Sequence, residues 1–133
     1  MNKWLLTIAL LFAVTDLDGT LTRTNTLCLP FYCPEPFADS IQSLQGFDEI
    51  LYLSCKPRVY GGFQQWWLDH YNFPEGDSWA IGPFPDGCVS FQEKCDFLKA
   101  YPIQFTHGFS EDEESLQAYE CAGIPNIIKV IHE

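Results

Sequence analysis

The segment AVTDLDGTLT, residues 13–22, constrains the fold most, because an apolar run leads directly into two aspartates one residue apart. Burying a carboxylate is costly unless a partner or a ligand compensates its charge. Side chains alternate in direction along an extended chain, so Asp16 and Asp18 would project to the same side. We therefore predict a buried strand over about residues 11–14 that presents both carboxylates at its carboxyl end. A simple Asp-Gly turn would explain Asp18 and Gly19 but not an apolar strand that ends in Asp16.

Apolar segments alternate with helical patterns along the rest of the chain. Strands are predicted in LLFAVTD, EILYLS, SWAIG, PIQFTHGF and NIIKVI, and helices in ADSIQSLQGF, GGFQQWWLDHYNF, SFQEKCDFLKAY and DEESLQAYECAG. This alternation within 133 residues predicts a single α/β domain, residues 1–133, with a parallel sheet between two helical layers. Sites in such sheets lie at the carboxyl ends of the strands, where Asp16, Ser54 and the segment GFSEDEE fall.

The chain is strongly acidic, with a formal net charge of −11. Such a chain gains no general attraction to nucleic acid or to anionic lipid, so no nucleic-acid partner is expected. A phosphate compound could be bound only if the site itself countered the negative potential of the chain, most simply with a divalent cation. Within the pair, Asp16 could attack phosphorus while Asp18 handles the proton of the leaving group.

These segments resemble the haloacid dehalogenase superfamily of phosphatases. DLDGTLT is similar to the first motif, DxDGT, and ILYLSCKP to the second, whose Ser54 would bind phosphate. Lys94 in SFQEKCDFL stands where the third-motif lysine is expected, and FTHGFSEDEESLQAYECAGIP is similar to the fourth motif, whose acids bind magnesium. Within the superfamily, DGTLTRT, HYNFPEG and AGIPNIIKVI most resemble the phosphatase-like domain of lipins and of phosphatidylinositol transfer proteins.

The resemblance implies a Rossmann-like three-layer sandwich with strand order 5-4-1-2-3. The segment from Arg23 to Asp39 is too short for a large helical cap, so we expect an open site that admits a large or membrane-bound substrate. The implied activity is magnesium-dependent hydrolysis of a phosphomonoester through an aspartyl-phosphate on Asp16, with a lipid or another large phosphorylated compound as the candidate substrate. Asp18, Ser54 and Lys94 would complete the catalytic set, and peripheral membrane contact is compatible with such a substrate.

The fourth motif departs from the family pattern. An acid is expected directly after the strand and another about four residues later, which places them at Glu111 and Ser115. A serine is a poor ligand for a hard cation, which prefers charged oxygens. We expect magnesium to be held by Asp16, Asp18 and Glu111, with Asp112 as second choice. The alternative is that the acidic run is only a favourable helix start.

Two pairs of like residues compete for one role each. Lys94 and Lys99 could both supply the third-motif lysine, and Lys94 is preferred because it lies nearer the expected loop. Trp66 and Trp67 cannot both face the core from one helix, so one of them could be exposed and contact lipid or a partner, although partial burial is more common for tryptophan.

The six cysteines and the apolar N-terminus leave the compartment open. The cysteines form no CxxC pair, and we expect mostly reduced, partly buried thiols in a cytoplasmic protein. An even count also fits disulfides in a secreted protein, and MNKWLLTIALLFAV is typical of a signal peptide or interfacial anchor. We expect this segment to be retained, because its second half must hold Asp16. Besides a phosphatase, the sequence is compatible with a non-catalytic phosphate- or lipid-binding module, or with a secreted disulfide-bonded domain.

Overall fold

The computed structural model describes residues 10–18, 20–22 and 35–132. Strands and helices alternate through this part of the chain, each where the sequence predicts one. The elements are β1 Phe12–Thr15, α1 Ala38–Leu44, β2 Glu49–Pro57, a 3₁₀ turn Arg58–Tyr60, α2 Gly61–His70, β3 Asp77–Gly82, α3 Phe91–Ala100, β4 His107–Ser110, α4 Glu113–Cys121 and β5 Asn126–Lys129.

The five strands form one all-parallel sheet in the order β3-β2-β1-β4-β5. This confirms the predicted order 5-4-1-2-3, read from the other edge. β1 is central, with Val14 opposite Leu51 of β2 and Gly108 of β4. Asp16 directly follows β1 and therefore stands at the middle of the carboxyl edge of the sheet.

The sheet is covered on both faces, which confirms the three-layer α/β architecture. Alternation along β2 divides the core, since Tyr52 faces one layer and Leu51 and Leu53 face the other. Leu44 of α1 and the pair Trp67 and Leu68 of α2 belong to the first core. The second contains Leu98 of α3 and Tyr119 of α4. Helix α3, which carries Lys94, and helix α4 thus lie together on one face of the sheet.

Helix α3 begins at a capping box. The Ser90 hydroxyl accepts a hydrogen bond from the Gln92 amide at 3.2 Å, and Glu93 Oε1 accepts one from the Ser90 amide at 3.2 Å. Satisfying these otherwise unpaired amides fixes where the helix begins. Lys94 is consequently held in the first turn, close to the carboxyl edge of the sheet.

The expectation of reduced thiols is wrong for the four cysteines in the described part of the chain. Cys55 is bonded to Cys88 and Cys95 to Cys121, with Cα–Cα distances of 5.1 and 5.8 Å. Folding brings the end of β2 beside the loop before α3, and it packs α3 on α4. Sequence spacing does not reveal these approaches.

Several predictions fall outside the described residues. They are the signal or anchor interpretation of residues 1–9, the turn at Gly19, and most of the Arg23–Asp39 segment with its two cysteines. No helix in the described ranges has the length and hydropathy needed to cross a membrane.

Candidate active site

An open cleft of about 470 Å³ lies at the carboxyl edge of the sheet. Its wall contains all six residues that the sequence nominates, although they come from four separate segments. They are Asp16, Asp18, Ser54, Lys94, Glu111 and Asp112. The structure therefore brings the predicted set together, while the role of each remains a prediction.

Asp16 is the most enclosed acid of the cleft, with 6% of its surface exposed. Its Oδ1 accepts hydrogen bonds from Lys94 Nζ at 2.5 Å and from the Tyr119 hydroxyl at 3.1 Å. Its Oδ2 accepts one from the Ser110 hydroxyl. The carboxylate is thus compensated by a buried cation and two hydroxyl donors, as the cost of burying its charge requires.

Lys94 is 4% exposed and connects α3 to both β1 and α4. Besides Asp16, its ammonium donates to the Ser115 hydroxyl at 2.8 Å. Ser115 stands where the family pattern has a second acid, so Lys94 meets a neutral acceptor there and Asp16 is its one buried carboxylate partner among the described residues. Lys99 is exposed on the same helix, which agrees with the preference for Lys94.

Ser110 and Tyr119 were missed by the sequence analysis. Both are completely buried, and the two hydroxyl groups lie on opposite oxygens of Asp16. Burial, and after it the charge of Asp16, raises the pKa of Tyr119 well above its usual value, so the phenol remains a donor. Gly108 is the sequence feature that could have pointed to Tyr119, because an added Cβ at Gly108 would lie 2.7 Å from the Tyr119 ring. A side chain at position 108 would therefore displace the Tyr119 ring.

Asp18 lies nearer the mouth of the cleft and is paired with Lys56. The Asp18 Oδ2–Lys56 Nζ distance is 2.7 Å, and each side chain is about one quarter exposed. Burial raises the pKa of the Asp18 carboxyl, and the hydrogen bond and charge of Lys56 oppose that rise. The raised pKa makes Asp18 suited to carry a proton.

Ser54 lies inside β2, which continues to Pro57, and not at the end of its strand as predicted. The strand is longer because Pro57 still pairs with Gly82, beyond an irregularity in the β2–β3 ladder. The Ser54 hydroxyl donates to Gln64 Oε1 of α2 at 2.7 Å. Ser54 lines the cleft, but its proton is engaged until a ligand takes the place of Gln64.

Glu111 and Asp112 differ in what their side chains do. The carboxylate of Asp112 caps α4, because its Oδ2 accepts a hydrogen bond from the Ser115 amide at 3.3 Å. The helix-start interpretation therefore describes Asp112 well. The backbone amide of Glu111 donates to the Thr20 hydroxyl at 3.0 Å, which ties the fourth motif to the loop after β1. Of the two acids, Glu111 is the better candidate ligand.

The cleft is rich in carboxylate oxygens, but its described residues form no assembled metal-ligand cluster. Within the described ranges, no three His, Cys, Asp or Glu side chains are grouped closely enough to hold a metal ion. The described wall nevertheless holds five carboxylates against two lysines, the carboxylates being Asp16, Asp18, Asp86, Glu111 and Asp112. Charged oxygens in excess suit a hard divalent cation, and Asp16 Oδ2 keeps a lone pair beside its bond from Ser110.

Comparison with known proteins adds no relative: no protein-family model matches the chain, and no curated protein matches it.

Proposed function

We propose that the protein is a phosphoric monoester hydrolase that acts through an aspartyl-phosphate on Asp16. One observation carries the proposal. Asp16 is buried at the center of the carboxyl edge, yet it lines an open cleft together with Asp18. A carboxylate enclosed in this way needs a function or a partner, and here it has a lysine partner and access to a ligand. The resemblance of DLDGT to the phosphatase motif supports the same chemistry.

The reaction has two steps. An oxygen of Asp16 forms a bond to phosphorus while the bond from phosphorus to the ester oxygen breaks, and Asp18 donates its proton to that departing oxygen. Asp18 then takes a proton from water as the water oxygen attacks phosphorus. The bond between Asp16 and phosphorus breaks, and inorganic phosphate leaves with both acids restored.

Lys94 would orient the nucleophile and the phosphoryl group. Its ammonium has three N–H donors, of which Asp16 and Ser115 take two. The third can donate to a phosphoryl oxygen. Tyr119 and Ser110 hold the Asp16 carboxylate in one orientation, which favours a near-attack geometry.

Magnesium is part of the proposal through the donor set of the cleft. Asp16, the backbone carbonyl of Asp18, and Glu111 or Asp112 are the groups that would hold it. When bound, it would supply positive charge to the phosphoryl oxygens. Two lysines against five carboxylates leave the described wall acidic, which opposes a phosphate dianion without such a cation.

A non-catalytic phosphate-binding module is the second candidate, favoured by Ser115 in place of the expected acid. The Lys94–Ser115 bond shows that this position interacts with the lysine as a neutral group. Such a module would bind phosphate in the same cleft without turnover.

The two disulfides bear on the compartment. Disulfides persist mainly in oxidising compartments. Cys55–Cys88 and Cys95–Cys121 therefore support the secreted alternative over the cytoplasmic expectation. The substrate class that we propose is a phosphate ester large enough to use an open cleft, including one presented at a membrane surface.

The test is hydrolysis of p-nitrophenyl phosphate by the purified chain, with magnesium and with a chelator. We expect turnover with magnesium that Asp16→Asn abolishes, with its folding checked by circular dichroism because the substitution leaves the buried Lys94 without its carboxylate. Asp96→Asn is the matched control, because Asp96 is exposed on α3 and bonds only Gln92 among the described contacts. If the wild type binds inorganic phosphate but hydrolyses nothing in either condition, the binding module replaces the hydrolase.

A further inference from the structure

The loop between β3 and α3 forms one wall of the cleft. The loop contributes Pro85 and Asp86 to the lining of the cleft, and the neighbouring strand β2 contributes Cys55. The disulfide Cys55–Cys88 joins this loop to β2 directly beside Ser54 and Lys56. The position of the wall therefore depends on the bridge.

Besides the disulfide, two backbone hydrogen bonds hold this wall, and most of its side chains are exposed. Residues 83–86 are exposed, including Phe84 at 72%, and Val89 beyond the bridge is 88% exposed. The Cys88 amide donates to the Cys55 carbonyl at 3.0 Å, and the Gly87 amide donates within the loop to Pro83 at 2.9 Å. A segment that buries so little apolar surface gains little from packing, so a covalent link dominates its order.

Glycine is required at two positions where the loop packs against β2. An added Cβ at Gly87 or Gly82 would collide with the Cys55 carbonyl oxygen, and Gly87 also has a positive φ of 85°. These features bring the loop backbone against β2 at the one place where the bridge forms. The two glycines thus allow the loop to lie directly against β2, and the disulfide fixes it there.

The two disulfides differ in access. Cys55 lines the cleft, and both Cys55 and Cys88 are partly exposed, whereas in the second bridge Cys121 is partly exposed and Cys95 is completely buried. A thiolate must reach a sulfur atom to break a disulfide, so access decides which bridge is reduced first. A dithiol would therefore open Cys55–Cys88 before Cys95–Cys121.

We propose that the segment Pro83–Cys88 is a redox-releasable wall that limits the size of the ligand in the cleft. A dithiol reduces the Cys55–Cys88 bond. The two sulfurs of the dithiol become a disulfide, and the two electrons and two protons that the dithiol gives up convert Cys55 and Cys88 to thiols. The loop then separates from β2, and Pro85 and Asp86 leave the lining. The effect on turnover rests on the proposed function, whereas release of the loop does not.

The first measurement is structural and uses the full chain. After mild treatment with dithiothreitol, alkylation and peptide mapping should label Cys55 and Cys88 ahead of Cys95 and Cys121. Hydrogen exchange at the Gly87 and Cys88 amides should then become several-fold faster, while the amides of α3 stay protected. Earlier labelling of Cys95, or unchanged exchange with Cys55 and Cys88 already alkylated, would overturn the proposal.

The second measurement is selectivity. The ratio of kcat/KM for 4-methylumbelliferyl phosphate to that for p-nitrophenyl phosphate should rise several-fold on reduction, because the larger leaving group gains the released space. The double variant Cys55→Ser, Cys88→Ser should show the raised ratio without reductant and no response to it. An unchanged ratio in reduced wild type contradicts a size-limiting wall. If neither form hydrolyses anything while exchange still accelerates, the hydrolase proposal fails and release of the wall stands.

Discussion

Lys94 Nζ lies 2.5 Å from Oδ1 of Asp16, and both side chains are almost completely buried. Removing one partner of such a pair leaves the other as an uncompensated charge away from water. The pair thus joins the stability of the fold to the chemistry of the cleft, since the same contact compensates the carboxylate and orients it.

Lys94→Met should destabilise the protein by about 3–5 kcal/mol, because it leaves Asp16 buried without its cation. Lys99→Met is the matched control, as Lys99 is exposed on the same helix, and it should change stability by less than about 0.5 kcal/mol. Urea unfolding followed by circular dichroism measures both. Equal, small effects would show that the Asp16–Lys94 contact contributes little.

The fold could be predicted from the sequence because its signals are local. Apolar strands alternate with helical patterns along the sequence, and each strand and α-helix of the structure lies where such a pattern predicts one. The central position of β1 came from the resemblance and is confirmed by the pairing of β1 with both β2 and β4.

The internal geometry of the site could not be predicted, because it depends on contacts between distant residues. Lys94 is 78 positions from Asp16, and Ser110 is 94 positions away. No local pattern marks a serine or tyrosine that will bond a remote carboxylate, although Gly108 under the Tyr119 ring was a possible clue. The disulfides were missed for the same reason, since Cys55 and Cys88 are 33 residues apart.

The two adjacent tryptophans of α2 should respond very differently to truncation. Trp67 is 2% exposed in the core, whereas Trp66 is 45% exposed and stacks on His70. Trp67→Ala should cost about 3–5 kcal/mol by leaving a cavity, and Trp66→Ala less than about 1 kcal/mol. Thermal and urea unfolding of both variants check this. A larger loss at Trp66 would mean that α2 presents its other face to the sheet.

The raised pKa of Asp18 predicts the sign of a pH effect on stability. A carboxyl whose pKa is higher in the folded state binds its proton more tightly there. The contribution of Asp18 to the stability of the fold is therefore complete below its pKa in the unfolded state, for which 3.8 is the reference value. This contribution is lost as pH rises through the higher pKa of the folded state. The stability of wild type minus that of Asp18→Asn should thus fall as pH rises through this window, then level off. Urea titrations from about pH 3 to about pH 7 measure it, and a difference that grows with pH has the wrong sign.

Magnesium should bind weakly, and Glu111 should matter more than Asp112. Glu111→Gln removes a candidate ligand, whereas Asp112→Asn keeps a side chain that can still cap α4. Calorimetric titration should show millimolar-range binding to wild type, similar binding to Asp112→Asn and none to Glu111→Gln. If no protein binds magnesium and phosphate binds without it, the non-catalytic module is the better account.

The most direct test of the central claim is detection of a phosphoryl group on Asp16. The purified chain is incubated with a phosphomonoester and magnesium, quenched in acid and mapped by mass spectrometry, alongside Asp18→Asn, which should slow breakdown of the intermediate. With p-nitrophenyl phosphate, whose phenolate departs without a proton, we predict that the peptide containing Asp16 carries one phosphoryl group, more abundantly in Asp18→Asn, and that Asp16→Asn carries none. Hydrolysis that persists in Asp16→Asn, or turnover with no phosphoryl group on Asp16 in either protein, would contradict the account.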